Sequence, residues 1–239
     1  MDFSHYYHTR IKNSLDEDRA MIIAGFQDIV KRGARPAFRL VNYYKGLPIS
    51  YPATIVEMSG GILELDVHQQ QAVAIDKTRR VFIKCGYFDN SILADVQNAD
   101  VRRMSVSLRN FTFVEIMAER RDTLRLELEA PTDATISSET HRLSGKLFDV
   151  SLGGFSIRTT DRCPFAKGVE VRLRVMIPNL LQNTVTGIET VACHVETIAE
   201  PNGDICRFSF QGDPQSEAAI SRFIFQRQVE IIREIKEAS

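Results

Sequence analysis

No run of about 18 consecutive apolar residues occurs anywhere in the 239-residue chain, which excludes a helical membrane span. The first residues, Met1-Asp2-Phe3-Ser4-His5, lack the basic-then-apolar layout of a secretory signal, so a cytoplasmic location is expected. Charge of one sign is also lacking. With a net charge of −1, affinity for nucleic acid or an anionic membrane cannot come from bulk charge, and any anion site must be local. The four cysteines, Cys85, Cys163, Cys193 and Cys206, form no C-x-x-C pair, and no two histidines stand at ligand spacing. Cys193 and His194 are adjacent, but neighbours in a strand point to opposite faces and would not share a metal. Buried free thiols are expected, with no zinc, no disulfide framework and no cofactor. Catalytic strings are missing too. His5, His8, His68, His141 and His194 have no visible nucleophile partner, and no G-x-S-x-G, H-E-x-x-H or P-loop occurs, so the chain does not read as an enzyme.

What is present is β structure in two blocks. Residues 14–31 read as a helix, because Ser14 and Glu17 make a capping box, Lys31 and Arg32 fall in the last turn, and Gly33 is a C-terminal stop. Segments 38–44, 49–58, 61–67, 80–85, 92–101 and 104–114 then read as short strands punctuated by Gly and Pro. Six such strands suggest a barrel or sandwich that the leading helix could cap. A second run covers 124–128, 134–136, 144–150, 154–159, 170–177, 190–198 and 205–210. In it Val171, Leu173 and Val175 alternate with Arg172 and Arg174 as in a half-buried strand. Asp213-Pro214 starts a final helix whose Ile220, Phe223, Ile224, Ile231 and Ile235 share one face. The fold class is therefore mainly β, with two β-barrel domains and a C-terminal helix. The division is expected near residue 115, giving domains 1–115 and 116–239.

Two strings stand out. Arg120-Arg121-Asp122-Thr123-Leu124-Arg125 ends in R-x-x-x-R, and Asp149-Val150-Ser151-Leu152-Gly153-Gly154 is a D-x-S-x-x-G. An Arg fork bonds bidentately to guanine O6 and N7 or to a phosphate. Asp149 is an acceptor for the guanine N1–H and N2–H₂ edge, and Ser151 can donate its hydroxyl to a phosphate or ribose oxygen. Gly153 and Gly154 leave room for a ligand against the backbone and permit φ > 0 at a turn. Alone, either string is an ordinary exposed turn. Their order, the roughly two dozen residues between them and the β patterning around both point to one guanine and phosphate site.

These two motifs resemble those of the PilZ family, bacterial receptors for cyclic di-GMP. The resemblance spans roughly residues 116–239, with Arg121 and Arg125 matching the first motif and Asp149, Ser151 and Gly154 the second. It implies a six-stranded barrel preceded by a ligand-binding linker. An Arg before R-x-x-x-R, here Arg120, implies two ligands per chain. One departure stands out: Arg207 occupies a place where members of the family often have Gly. A β barrel ahead of the Arg string is similar to the flagellar-brake (YcgR-type) architecture, whose layout implies a helix-capped split barrel in the first half. The expectation is a cyclic di-GMP receptor that changes domain arrangement on binding and acts on a protein such as a flagellar motor or stator component. The alternatives are an adaptor for exopolysaccharide synthesis or secretion, a PilZ scaffold that binds no nucleotide, and an RNA-binding barrel, the last disfavoured by net charge and few aromatics near the Arg string. Without ligand, three guanidinium groups on a short tether should repel one another. Monomer and dimer are both open.

Overall fold

A computed structural model describes residues 6–179, 184–212 and 214–239. The Met1–His5 segment and the expected helix start at Asp213 lie outside these residues. The chain divides into two compact units, Met1–Asp122 with Ile232–Ser239, and Thr123–Ile231.

In the first unit a short strand β1 (Tyr7–Thr9) precedes helix α1 (Leu15–Arg32). The helix starts where the sequence places it: the Ser14 side chain accepts from the Glu17 amide, and Gly33 closes the end at φ 63°. Strands β2 (Phe38–Tyr44), β3 (Leu47–Ser59), β4 (Ile62–Val67), β5 (Arg80–Cys85), β6 (Ser91–Asp100) and β7 (Ser105–Ile116) follow. They pair in the order β7-β4-β3-β2-β5-β6, and the additional β6–β7 pairing closes the ring, with β1 added outside β7. The apolar stripe of α1, Ile22, Phe26 and Ile29, packs with Leu40, Leu63, Ile83, Phe111 and Phe113 in one core.

Two elements of this unit escape the sequence reading. One is β1. The other is helix α2 (Gln69–Thr78), which has no acidic residue in its first turn and no Ser, Thr, Asp or Asn cap. His68 is its N-cap: Nδ1 accepts from the Gln70 amide, and the ring stacks on Tyr51 at 4.0 Å. Arg79 closes the helix in the left-handed region at φ 58°. The helix is anchored by a buried polar chain in which Gln71 donates to Asn42 and Asn42 donates to Thr78.

The second unit is a closed barrel of β8 (Leu126–Ser137), β9 (Arg142–Ser151), β10 (Gly154–Thr159), β11 (Glu170–Asn179), β12 (Thr184–Glu200) and β13 (Gly203–Phe210), in the order β10-β13-β12-β11-β8-β9. Segments 124–128 and 134–136, read as two strands, are one: β8 continues through a register shift between Glu127 and Thr132. Val171, Leu173 and Val175 are buried while Arg172 and Arg174 are exposed, as the alternation requires. Leu147, Val150, Phe155, Ile157 and Phe208 share the apolar interior. Helix α3 (Pro214–Glu237) buries the expected stripe of Ile220, Phe223, Ile224, Ile231 and Ile235. Among the described residues no helix is long and apolar enough to cross a membrane, and no group of three or more His, Cys, Asp or Glu could hold a metal ion. All four thiols are free, but only Cys85 and Cys206 are buried; Cys163 and Cys193 are half-exposed.

Candidate functional site

The sequence-predicted residues divide between the units. Arg120 and Arg121 belong to the first; Arg125, Asp149, Ser151, Gly153 and Gly154 belong to the second and are brought together on its barrel.

β9 and β10 form an antiparallel hairpin joined by Leu152 and Gly153, with Ser151 facing Gly154 across its mouth. Asp149 and Ser151 are two apart on β9 and so share a face. That face is the outer one. The register shift between Ser156 and Ile157 lets Leu147 and Val150 both enter the interior, while Phe148 and Asp149 remain outside. Asp149 is nonetheless only 7% exposed. Its Oδ1 lies 3.7 Å from Arg125 Nε, an ion-pair distance longer than a hydrogen bond. Glu127 of β8 is registered opposite Asp149.

The two glycines differ in their surroundings, and the expected turn at φ > 0 is absent at both. Neither Gly153 nor Gly154 lies in the left-handed region. A side chain on Gly154 would come within 2.1 Å of the Phe208 carbonyl oxygen, so this glycine admits the close approach of β13. A side chain on Gly153 would meet only Thr123 Oγ1 at 3.5 Å, which leaves the hairpin tip open on that side. The Phe210 amide donates to the Gly153 carbonyl and ties the tip to β13. Ser151 is buried, and its hydroxyl donates to the Gly154 carbonyl at 3.1 Å. In this arrangement its oxygen is turned to accept, and donation to a phosphate or ribose oxygen requires the hydroxyl to rotate.

The arginines of the first unit are held rather than left to repel one another. Met117–Arg120 is a single 3-10 turn. Arg120 pairs with Glu115, which also pairs with Arg10. Arg121 lies over the Tyr6 ring, 5.8 Å from its centroid. Tyr6 in turn stacks on Tyr43 at 4.7 Å. Burial pushes the Tyr43 phenol up to about 12, with Glu119 adding to the rise and the Arg121 cation opposing it.

Beyond the two motifs, Ser156 and Arg207 extend the Asp149 row across the barrel. Ser156 is registered with Asp149 on one side and with Arg207 on the other. No motif signals this row, because strand register between residues 149 and 207 is a tertiary property. Arg207 donates through Nη1 to Glu196, its partner on β12, at 2.8 Å.

Residues 119–226 match the family model of the PilZ domain. No match was found among curated proteins. Among solved structures, the chain is similar to YcgR in complex with c-di-GMP from Escherichia coli, at 13% identity and a TM-score of 0.45, with all of both chains covered. It is similar to the Bacillus subtilis inhibitor of motility MotI/DgrA at 15% identity and a TM-score of 0.42, covering 82% of this chain and 96% of that one. It is also similar to the K. pneumonia MrkH–c-di-GMP complex at 14% identity and a TM-score of 0.42, covering 90% and 96%.

Proposed function

We propose that this chain, whose residues 119–226 match the PilZ domain model, is a cytoplasmic, non-enzymatic receptor for cyclic di-GMP. The observation that carries the proposal is Asp149, a nearly covered carboxylate on the outer face of the barrel with Arg125 beside it. A carboxylate accepts two parallel hydrogen bonds, which fits the N1–H and N2–H₂ edge of guanine and rejects the edge of adenine. Arg121 and Arg125 supply forks for phosphates and for guanine O6 and N7, Ser151 supplies a hydroxyl, and Gly153 gives access at the hairpin tip. Arg120 adds a third guanidinium, enough positive charge to offset part of the four phosphates on two ligands.

The output follows from where the arginines are held. Arg120 and Arg121 have partners in the first unit, Glu115 and Tyr6, whereas Asp149 and Ser151 are fixed on the second barrel. A polyanion engaging both sets exchanges one group of contacts for another, and that differential drives a change of domain arrangement. The rearranged surface acts on a protein partner. A flagellar motor or stator component is our choice, on the layout of a β barrel ahead of the Arg string.

Hydrogen exchange with and without saturating cyclic di-GMP, with small-angle scattering on the same samples, tests this reading. Protection is expected to rise over residues 116–126 and around Asp149, with a changed scattering envelope, and Arg125→Ala should need about tenfold or more ligand to reach either. Unchanged exchange in the parent chain would leave a scaffold that binds no nucleotide.

A further inference from the structure

Two buried polar atoms of the Asp149 row are without a hydrogen-bond partner, Ser156 Oγ and Arg207 Nε. Ser156 is 1% exposed, and a hydroxyl so covered normally finds a partner. Arg207 is aimed rather than idle: Glu196 holds Nη1 at 2.8 Å, which fixes the plane of the guanidinium and leaves the Nε side of its fork unused. The register runs Asp149, Ser156, Arg207 across β9, β10 and β13. With neighbouring strands about 4.8 Å apart, the three groups span about 10 Å on one surface.

That sequence of an acceptor, a hydroxyl and a donor fork matches the perimeter of one base. Guanine carries its donors, N1–H and N2–H₂, on one edge, and its acceptors O6 and N7 follow in turn around the ring. With the donor edge on Asp149, O6 points along the row toward Ser156 and N7 toward Arg207. We propose that Ser156 and Arg207 complete the guanine site, the hydroxyl donating to O6 and the Arg207 fork to N7 and O6. This rests on the cyclic di-GMP reading and adds two residues to it. It also makes the site select guanine twice. Adenine lacks the N2 amino group that Asp149 accepts, and it places an N6–H₂ donor where Ser156 and Arg207 also donate.

The test is calorimetric titration of the parent, Ser156→Ala, Arg207→Leu and Arg125→Ala with cyclic di-GMP and with its 7-deazaguanine analogue, in which N7 becomes C–H. The parent should bind the analogue tenfold or more weakly. Arg207→Leu should bind cyclic di-GMP tenfold or more weakly and separate the two ligands severalfold less than the parent does, while Ser156→Ala loses severalfold. Should Arg207→Leu fail to fold, Arg207→Lys keeps the cation beside Glu196 but not the fork, and it should bind while losing the discrimination. An Arg207 variant that still separates the two ligands as the parent does, or binds as tightly as the parent, overturns the proposal. If Arg125→Ala is weakened in that case, the receptor reading survives it. A parent chain that binds neither ligand overturns both.

Discussion

At the scale of single residues, Gly153 and Gly154 are neighbours with opposite constraints. Gly154 faces backbone that cannot move aside, 2.1 Å from where its side chain would be, while Gly153 faces one hydroxyl at 3.5 Å. Gly154→Ala should therefore destabilise the protein by roughly 1–3 kcal/mol, as overpacking does. Gly153→Ala should stay within about 0.5 kcal/mol, as open sites do. Urea melts of the two variants decide it; equal losses would mean that β13 does not approach as described. The sequence marks both glycines but not the difference, because the carbonyl that excludes a side chain at position 154 belongs to Phe208, more than fifty residues away. Asp149 and Ser151 were legible for the converse reason: two residues apart on one strand, they share a face by local geometry alone. Ser156 and Arg207 were not, since nothing local sets the register of β9, β10 and β13 that lines them up.

At the scale of elements, strands announced by alternation or bounded by turn residues were read within a few positions, and α1 was read from its cap and stop. α2 was hidden because its signals are unconventional: a histidine cap, a left-handed arginine stop, and a Gln–Asn–Thr chain holding it where a sequence reading looks for apolar spacing. β1 was hidden by its brevity, although it brings Tyr6 beneath Arg121. Burial of Tyr43 beneath Tyr6 has a measurable consequence. The Tyr43 phenol, held at about 12 against an ordinary 10.0, keeps its proton more tightly in the folded chain than in the unfolded one. Its contribution to stability is therefore complete below pH 10 and is lost as pH rises from about 10 to 12. In an ultraviolet titration of the six tyrosines, the last ionisation should fall near pH 12 and vanish in Tyr43→Phe. An amplitude lost near pH 10 rather than near pH 12 in Tyr43→Phe would place the phenol in water.

At the scale of the whole molecule, each of the three arginines of the linker string has an intramolecular partner, Glu115, Tyr6 or Asp149. Mutual repulsion, the sequence expectation, left out these partners because two of them come from β7 and from the residue just before β1. Ligand binding must then exchange contacts rather than fill an empty tether, and its net strength reflects that exchange. Charge-assisted bonds contribute about 1.5–3 kcal/mol each, so loss of one fork should weaken binding tenfold or more. The most direct measurement is calorimetric titration of the unmodified chain with cyclic di-GMP beside cyclic di-AMP. The account predicts saturable binding of cyclic di-GMP at two ligands per chain, falling toward one in Arg120→Leu, with no comparable heat from cyclic di-AMP. Equal binding of the two dinucleotides, or no binding of cyclic di-GMP, would contradict it.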